Sequence, residues 1–178
     1  NEKFDEYRQN IFDKLENYIY AVQQISMDEY LESLLNTKNA RILLVGDASV
    51  NNIINNLSVD IIYSHICSLT LLPNIKSKIN FGIPENQIKE LGEQSAEIAY
   101  AMAVKALENC NYCDLVLSCL VQFEENSGVA FIALGNKLKI DVYKNRFYGS
   151  RQQILENVGQ TAKFYLIKKL KAGDYKTI

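Results

Sequence analysis

At 178 residues the chain has the length of one domain, or of one domain with an appendage, and its 48% hydrophobic content lies in the ordinary globular range. A formal net charge of −2 exerts no strong pull toward nucleic acid or an anionic membrane, and no apolar run approaches the roughly 18 residues that span a bilayer. The N-terminus lacks the basic-then-apolar shape of a signal peptide, and four Cys residues without an export signal point to reduced thiols in a cytoplasm.

Phe4, Tyr7, Ile11, Leu15, Tyr18, Ile19 and Val22 follow the three-and-four spacing of an amphipathic helix. This helix is expected to be a separate piece over residues 1–24, a linker or oligomerisation arm, with the main domain over 25–178. Ser26-Met27-Asp28-Glu29 is a capping-box signature, and a second helix is predicted to about Asn36. Arg41 to Gly46 is a continuous apolar run closed by glycine, the pattern of a strand buried on both faces. Val50 to Leu57 reads as a short helix, although its four Asn residues are poor helix formers. Asp60 to Leu72, rich in Ile, Tyr, Thr and Leu, reads as strand, with an interruption near Ser64-His65 and an end at Pro73.

Glu85 to Leu91 reads as a turn or two of helix entered through Pro84. Ser95 caps a longer helix with Ile98, Ala99, Met102, Ala103, Ala106 and Leu107 on one face. Asp114 to Val121 and Gly128 to Leu134 read as strands. Gly135-Asn136 is a hairpin signal, so Leu138 to Tyr143 is predicted to run antiparallel to its predecessor. Ser150 with Gln153 opens the last helix through a second capping box, and Gly173 lies just past its end. Mixed order with a late hairpin predicts a three-layer α/β/α sandwich on a mixed sheet, with the N-terminal helix as an extension.

Residues 82–109 read G-I-P-E-N-Q-I-K-E-L-G-E-Q-S-A-E-I-A-Y-A-M-A-V-K-A-L-E-N. This stretch resembles the C-terminal domain of the CinA family, the competence/damage-inducible proteins and nicotinamide-nucleotide amidases, whose pattern there is roughly G-V-P-E-x-x-L-x-x-x-G-x-V-S-x-E-V-A-x-x-M-A. Weaker likenesses run in order along the chain. Tyr18-Ile19-Tyr20 resembles the family's I-Y-G, and Ser26 to Leu35 its S-L-E-x-x-V-x-x-L-L. Gly128 to Leu134 resembles G-T-V-Y-I-A-L, and Phe147 to Ile154 resembles F-x-G-D-R-x-x-I. The resemblance implies the family's α/β/α fold and an N-terminal helix that adjoins a further domain.

The departures fall where the family holds substrate. Its nucleophile phrase A-E-S-C-T-G-G matches Gly46-Asp47-Ala48-Ser49-Val50-Asn51-Asn52, with Ala48 at the serine and Ser49 at the cysteine. A methyl group cannot attack an amide, and losing a tuned nucleophile costs on the order of a millionfold, roughly 8 kcal/mol of barrier. Asn51 and Asn52 replace the paired glycines. Asn tolerates positive φ, so the turn is expected to survive while close approach of an anion is lost. Leu72 to Ser77, including Asn74, takes the place of Y-S-N-E-A-K. The T-G-x-A-G-P loop has no counterpart near Cys119 to Phe123. Ser150 replaces the Asp of G-D-R, while Arg151 remains.

Two readings follow from the resemblance. In one, the domain is catalytically degenerate and acts as a binding or assembly module, a homo-oligomer holding a small phosphorylated nucleotide near Asn51, Asn52, Asn74, Ser150 and Arg151. In the other, a one-residue shift places Ser49 on the nucleophile, with Lys76 or Lys78 as base. The protein would then deamidate nicotinamide mononucleotide to the acid and ammonia. A third reading makes the N-terminal helix the functional part, joining subunits. No cofactor and no metal are expected. Cys110-x-x-Cys113 is a lone pair more suited to packing than to zinc. His65 reads as a partly exposed loop residue, and Lys163, Lys168, Lys169 and Lys171 as a solvated helix end.

Overall fold

The computed structural model describes residues 25–173. The amphipathic pattern over 4–22 and the Tyr18-Ile19-Tyr20 likeness lie outside the described residues. The elements are α1 (Met27–Lys38), β1 (Ile42–Gly46), a 3-10 turn (Ala48–Val50), α2 (Asn51–Ile54), α3 (Val59–His65), β2 (Ile66–Leu71), α4 (Ile75–Phe81), α5 (Glu85–Leu91), α6 (Ala96–Glu108), β3 (Leu115–Phe123), β4 (Ser127–Gly135), β5 (Ile140–Tyr148) and α7 (Arg151–Ala172).

The five strands form one mixed sheet in the order β2-β1-β3-β4-β5. β1 is parallel to β2 and β3, whereas β4 is antiparallel to both β3 and β5. Side chains alternate across each strand, so every central strand feeds two cores. On one face Ile42, Leu44, Leu117 and Ile132 meet Leu31 and Leu35 of α1, Ile53 of α2, and Ile154, Val158 and Leu166 of α7. On the other, Leu43, Val45, Val116 and Ala133 meet Ile88 of α5 and Ile98, Met102 and Ala103 of α6. This is the predicted α/β/α sandwich.

The caps follow the sequence signals. Ser26 and Ser150 each form a reciprocal capping box, and Gly173 ends α7 at φ 78°. The turn after Gly135 joins β4 to an antiparallel β5, which starts at Ile140 and runs on to Tyr148.

Four expectations are corrected. Residues 59–65 are helix, and the strand begins only at Ile66. The β-branched residues there have strand propensity, but Ile61 and His65, four apart, are buried together, and tertiary burial overrides propensity. His65 is only 3% exposed, with its ring nitrogens 2.9 Å from the Ala40 carbonyl and 3.0 Å from Asn36 Oδ1. Lys163 is fully buried rather than solvated. Its amine donates to Asp28 Oδ1 at 2.5 Å and to the Asn55 carbonyl at 2.8 Å, tying α7 to α1 and to the end of α2. Cys110 and Cys113 are joined as a disulfide within the six-residue connection from α6 to β3. Helix α4 is an addition. Asn74 and Ser77 cap it reciprocally, and Gly82 closes it at φ 109°.

Candidate functional site

The carboxyl ends of β1 and β3 lie side by side, and from them the chain departs in opposite directions, toward β2 and toward β4. Ligand crevices of α/β sheets form at such divergences. The turn at this point begins with Gly46. A Cβ there would lie 2.0 Å from the Cys119 carbonyl oxygen, so only glycine lets β1 end against β3.

Asp47 builds the turn. Its Oδ1 accepts from the Ser49 N–H and its Oδ2 from the Val121 N–H, both at 2.8 Å, and its own N–H donates to the Cys119 carbonyl. One carboxylate therefore fixes the turn from inside and pins it to β3. Sequence reasoning did not single out Asp47, although it stands at the family's Glu in the nucleophile phrase.

The geometry separates Ala48 from Ser49. Ala48 is exposed at the tip of the turn, whereas Ser49 is fully buried. The Ser49 hydroxyl has no hydrogen-bond partner of good geometry. It lies in the interior by the Cys119 thiol, whose pKa is pushed up to about 12, chiefly by burial, against a smaller downward pull from that hydroxyl.

The lysines weighed as its base lie on α4. Lys76 is exposed. Lys78 is buried, and its amine is bound to the Glu93 carboxylate at 2.8 Å, closing α4 onto the loop before α6. Among the described residues no hydrogen bond joins Ser49 to either lysine. Nothing in the sequence flagged Glu93.

The polar residues considered as ligands are spread among local tasks. Asn74 Oδ1 caps α4. Asn51 is helical at φ −61°, and the positive φ that was expected to ease the turn falls instead at Asn56, at 68°. Asn52 packs against α7 at Gly159, where a Cβ would lie 2.6 Å from the Asn52 carbonyl oxygen. Ser150 Oγ accepts from the Gln153 N–H. Arg151 is exposed at the N-terminus of α7 with its guanidinium 4.9 Å above the Phe123 ring. Among the described residues no carboxylate reaches it within ion-pair distance. Nearby, Arg146 grips Glu124 through two contacts of 2.6 and 3.2 Å and holds that carboxyl below its ordinary range, with help from the Ser127 hydroxyl.

A cavity of about 540 Å³ lies away from this turn, between α6 and the β4–β5 connection, with Tyr100, Val104, Asn136 and Leu138 in its wall. It contains none of the candidate site residues named from the sequence. Among the described residues no cluster of His, Cys, Asp or Glu is arranged to hold a metal ion, and no helix is long and apolar enough to cross a membrane.

No protein-family model matches the sequence. A competence-damage inducible protein of Caldicellulosiruptor bescii is 28% identical over 183 residues, covering 93% of this chain. The chain spans 42% of that relative's length. Among solved structures, a CinA-superfamily protein of Klebsiella pneumoniae superposes with a TM-score of 0.71 at 14% identity, covering 83% of this chain and 99% of its own. One from Escherichia coli gives 0.67 at 11% identity, with 86% and 98% covered. A competence/damage-inducible protein from Agrobacterium tumefaciens gives 0.63 at 14% identity, with 85% and 99% covered. The structures show the shared fold, and the sequence relative carries the likeness along nearly the whole chain. The chain thus resembles a competence-damage inducible protein in sequence and shares the fold of the CinA-superfamily structures.

Proposed function

We propose that this CinA-like domain is catalytically degenerate and works as a binding and assembly module. The observation that carries the reading is the orientation of the turn after β1. Where the family phrase has its serine, the exposed side chain is the Ala48 methyl, and the neighbouring Ser49 hydroxyl points into the core. A nucleophile must reach its substrate, and a base must lie within hydrogen-bond reach of it. Ser49 meets neither condition, and Lys78 is committed to Glu93.

The same end of the sheet keeps one feature suited to an anion. Arg151 is exposed and free of carboxylates among the described residues, and it sits where the N-terminus of α7 favours negative charge. The ligand class is a small phosphorylated nucleotide, with the phosphate at Arg151 and Phe123 beside it for stacking. The test is a titration of the protein with nicotinamide mononucleotide by calorimetry, with ammonia measured in parallel. The reading expects weak binding that Arg151→Ala reduces at least tenfold, and no ammonia. Ammonia release that disappears in Ser49→Ala would establish an active amidase instead.

A further inference from the structure

Cys110-Asn111-Tyr112-Cys113, closed as a disulfide, lies outside the site at the carboxyl ends of β1 and β3. It occupies the six-residue connection from α6 to β3, between elements that are held without it. On the α6 side the Asn109 N–H donates to the Leu107 and Lys105 carbonyls. On the β3 side the Asp114 and Leu115 N–H groups both donate to the Arg41 carbonyl, at 2.9 and 3.1 Å, and Asp114 Oδ2 accepts from the Arg41 N–H at 2.8 Å. A bridge across a sequence separation of 3 takes little freedom from the unfolded chain, because that constraint grows with loop length. Breaking it therefore leaves both flanks anchored.

The two cysteines differ in access. Cys110 is buried in the core beneath α6, whereas Cys113 is half-buried and follows Asn111 and Tyr112, both exposed. The remaining thiols compete poorly with them. Cys119 is fully buried, and burial pushes the Cys67 thiol up, which leaves little thiolate at neutral pH. The bridged loop also touches a cavity. Asn111 Oδ1 accepts from Lys137 Nζ at 3.2 Å, and Lys137 stands in the wall of the cavity of about 540 Å³. Leu107 and Glu108, which lead into the bridged loop, belong to the same wall.

We propose that Cys110–Cys113 is a reversible redox site, a disulfide that dithiols reduce in the folded protein, with the β4–β5 connection as the element it holds. A thiolate of the dithiol attacks Cys113 Sγ, the more accessible sulfur. The S–S bond breaks, and Cys110 leaves as a thiolate that takes up a proton. The second thiol of the reductant, deprotonated, then displaces Cys113 from the mixed disulfide. The products are two cysteine thiols and one cyclic disulfide of the reductant, so two electrons and two protons pass to the protein. Opening the bridge lets Asn111 leave Lys137 and loosens the cavity wall. The site is independent of the turn after β1 and of nucleotide binding, so failure of either reading leaves the other intact.

The experiment treats the full chain with dithiothreitol at neutral pH and counts thiols by maleimide trapping and mass spectrometry. The oxidised chain, once unfolded, should show only Cys67 and Cys119 reactive, and the reduced chain all four cysteines. The rate of reduction should be unchanged by urea below the unfolding transition, because the attack needs no global opening. Cys110→Ser should take up glutathione from its disulfide at residue 113, by peptide mapping, about tenfold or more faster than Cys113→Ser takes it up at residue 110. Amides of residues 136–139 should exchange about threefold or more faster after reduction, and Asn111→Ala should have the same effect in the oxidised chain. Four reactive thiols before any reductant is added, a reduction rate that climbs with urea, equal glutathione uptake by the two variants, or hairpin amides indifferent to reduction would each overturn the proposal. If a serine variant fails to fold, the urea and exchange measurements on the native chain decide it.

Discussion

The Asp47 carboxylate accepts the Val121 backbone N–H at 2.8 Å while its other oxygen holds the Ser49 N–H. This pairing decides what the turn after β1 can do. By clamping residue 49 from below and residue 121 from the side, it keeps Ser49 inward and leaves Ala48 at the tip. Asp47→Ala would leave two partly buried N–H groups without acceptors, at about 1–3 kcal/mol each. The expected outcome is a loss of about 2–4 kcal/mol in urea unfolding, with slower-exchanging amides at 49 and 121 becoming fast.

Lys163 is a fully buried cation held by Asp28 and the Asn55 carbonyl. Removing one partner strands the other, which for buried pairs costs about 3–5 kcal/mol, whereas replacing both with apolar groups of similar volume is often near neutral. Asp28 retains some exposure, so the lower end of that range applies. Thermal melts should therefore rank Asp28→Ala as markedly less stable than wild type and Asp28→Leu with Lys163→Met as closer to it. Equal damage from the single and double variants would contradict this account.

Gly159 sits inside α7, where glycine is normally a disadvantage, because Asn52 lies against it. Gly159→Ala should gain about 1 kcal/mol of helix propensity and lose more to the clash with the Asn52 carbonyl, since overpacking costs about 1–3 kcal/mol. Net destabilisation of about 1–2 kcal/mol is expected in chemical denaturation. A stabilised variant would show that α2 does not press on α7.

Burial raises the Cys119 thiol from 9.0 to about 12. The folded state thus keeps a proton that the unfolded chain releases above pH 9. The stability contribution is complete below pH 9 and is lost as pH rises toward 12. Wild type should lose stability more steeply than Cys119→Ala between pH 9 and 11, measured by urea midpoints. Parallel slopes would contradict a buried, protonated thiol.

Much of the scaffold was legible because its signals are local. Ser26 with Glu29, and Ser150 with Gln153, cap their helices through contacts three residues apart. The run Ile42 to Gly46 is apolar throughout because both faces of β1 are covered. The errors have non-local causes. His65, in a segment read as strand, is held by Ala40 and Asn36, and Lys163 by Asp28, partners far away in sequence. At the site, the choice between Ala48 and Ser49 hinged on a bond from Asp47 to a strand 74 residues later. No periodicity encodes such a contact. The same holds for Lys78, whose partner Glu93 lies in a loop with no pattern of its own.

The most direct test of the central claim is ammonia release from nicotinamide mononucleotide by the purified full chain, compared with Ser49→Ala and Ala48→Ser. With an outward methyl and an inward hydroxyl, wild type and Ser49→Ala should both release none above the uncatalysed rate. Turnover by the wild-type chain that vanishes in Ser49→Ala would show that Ser49 reaches substrate and would contradict the account.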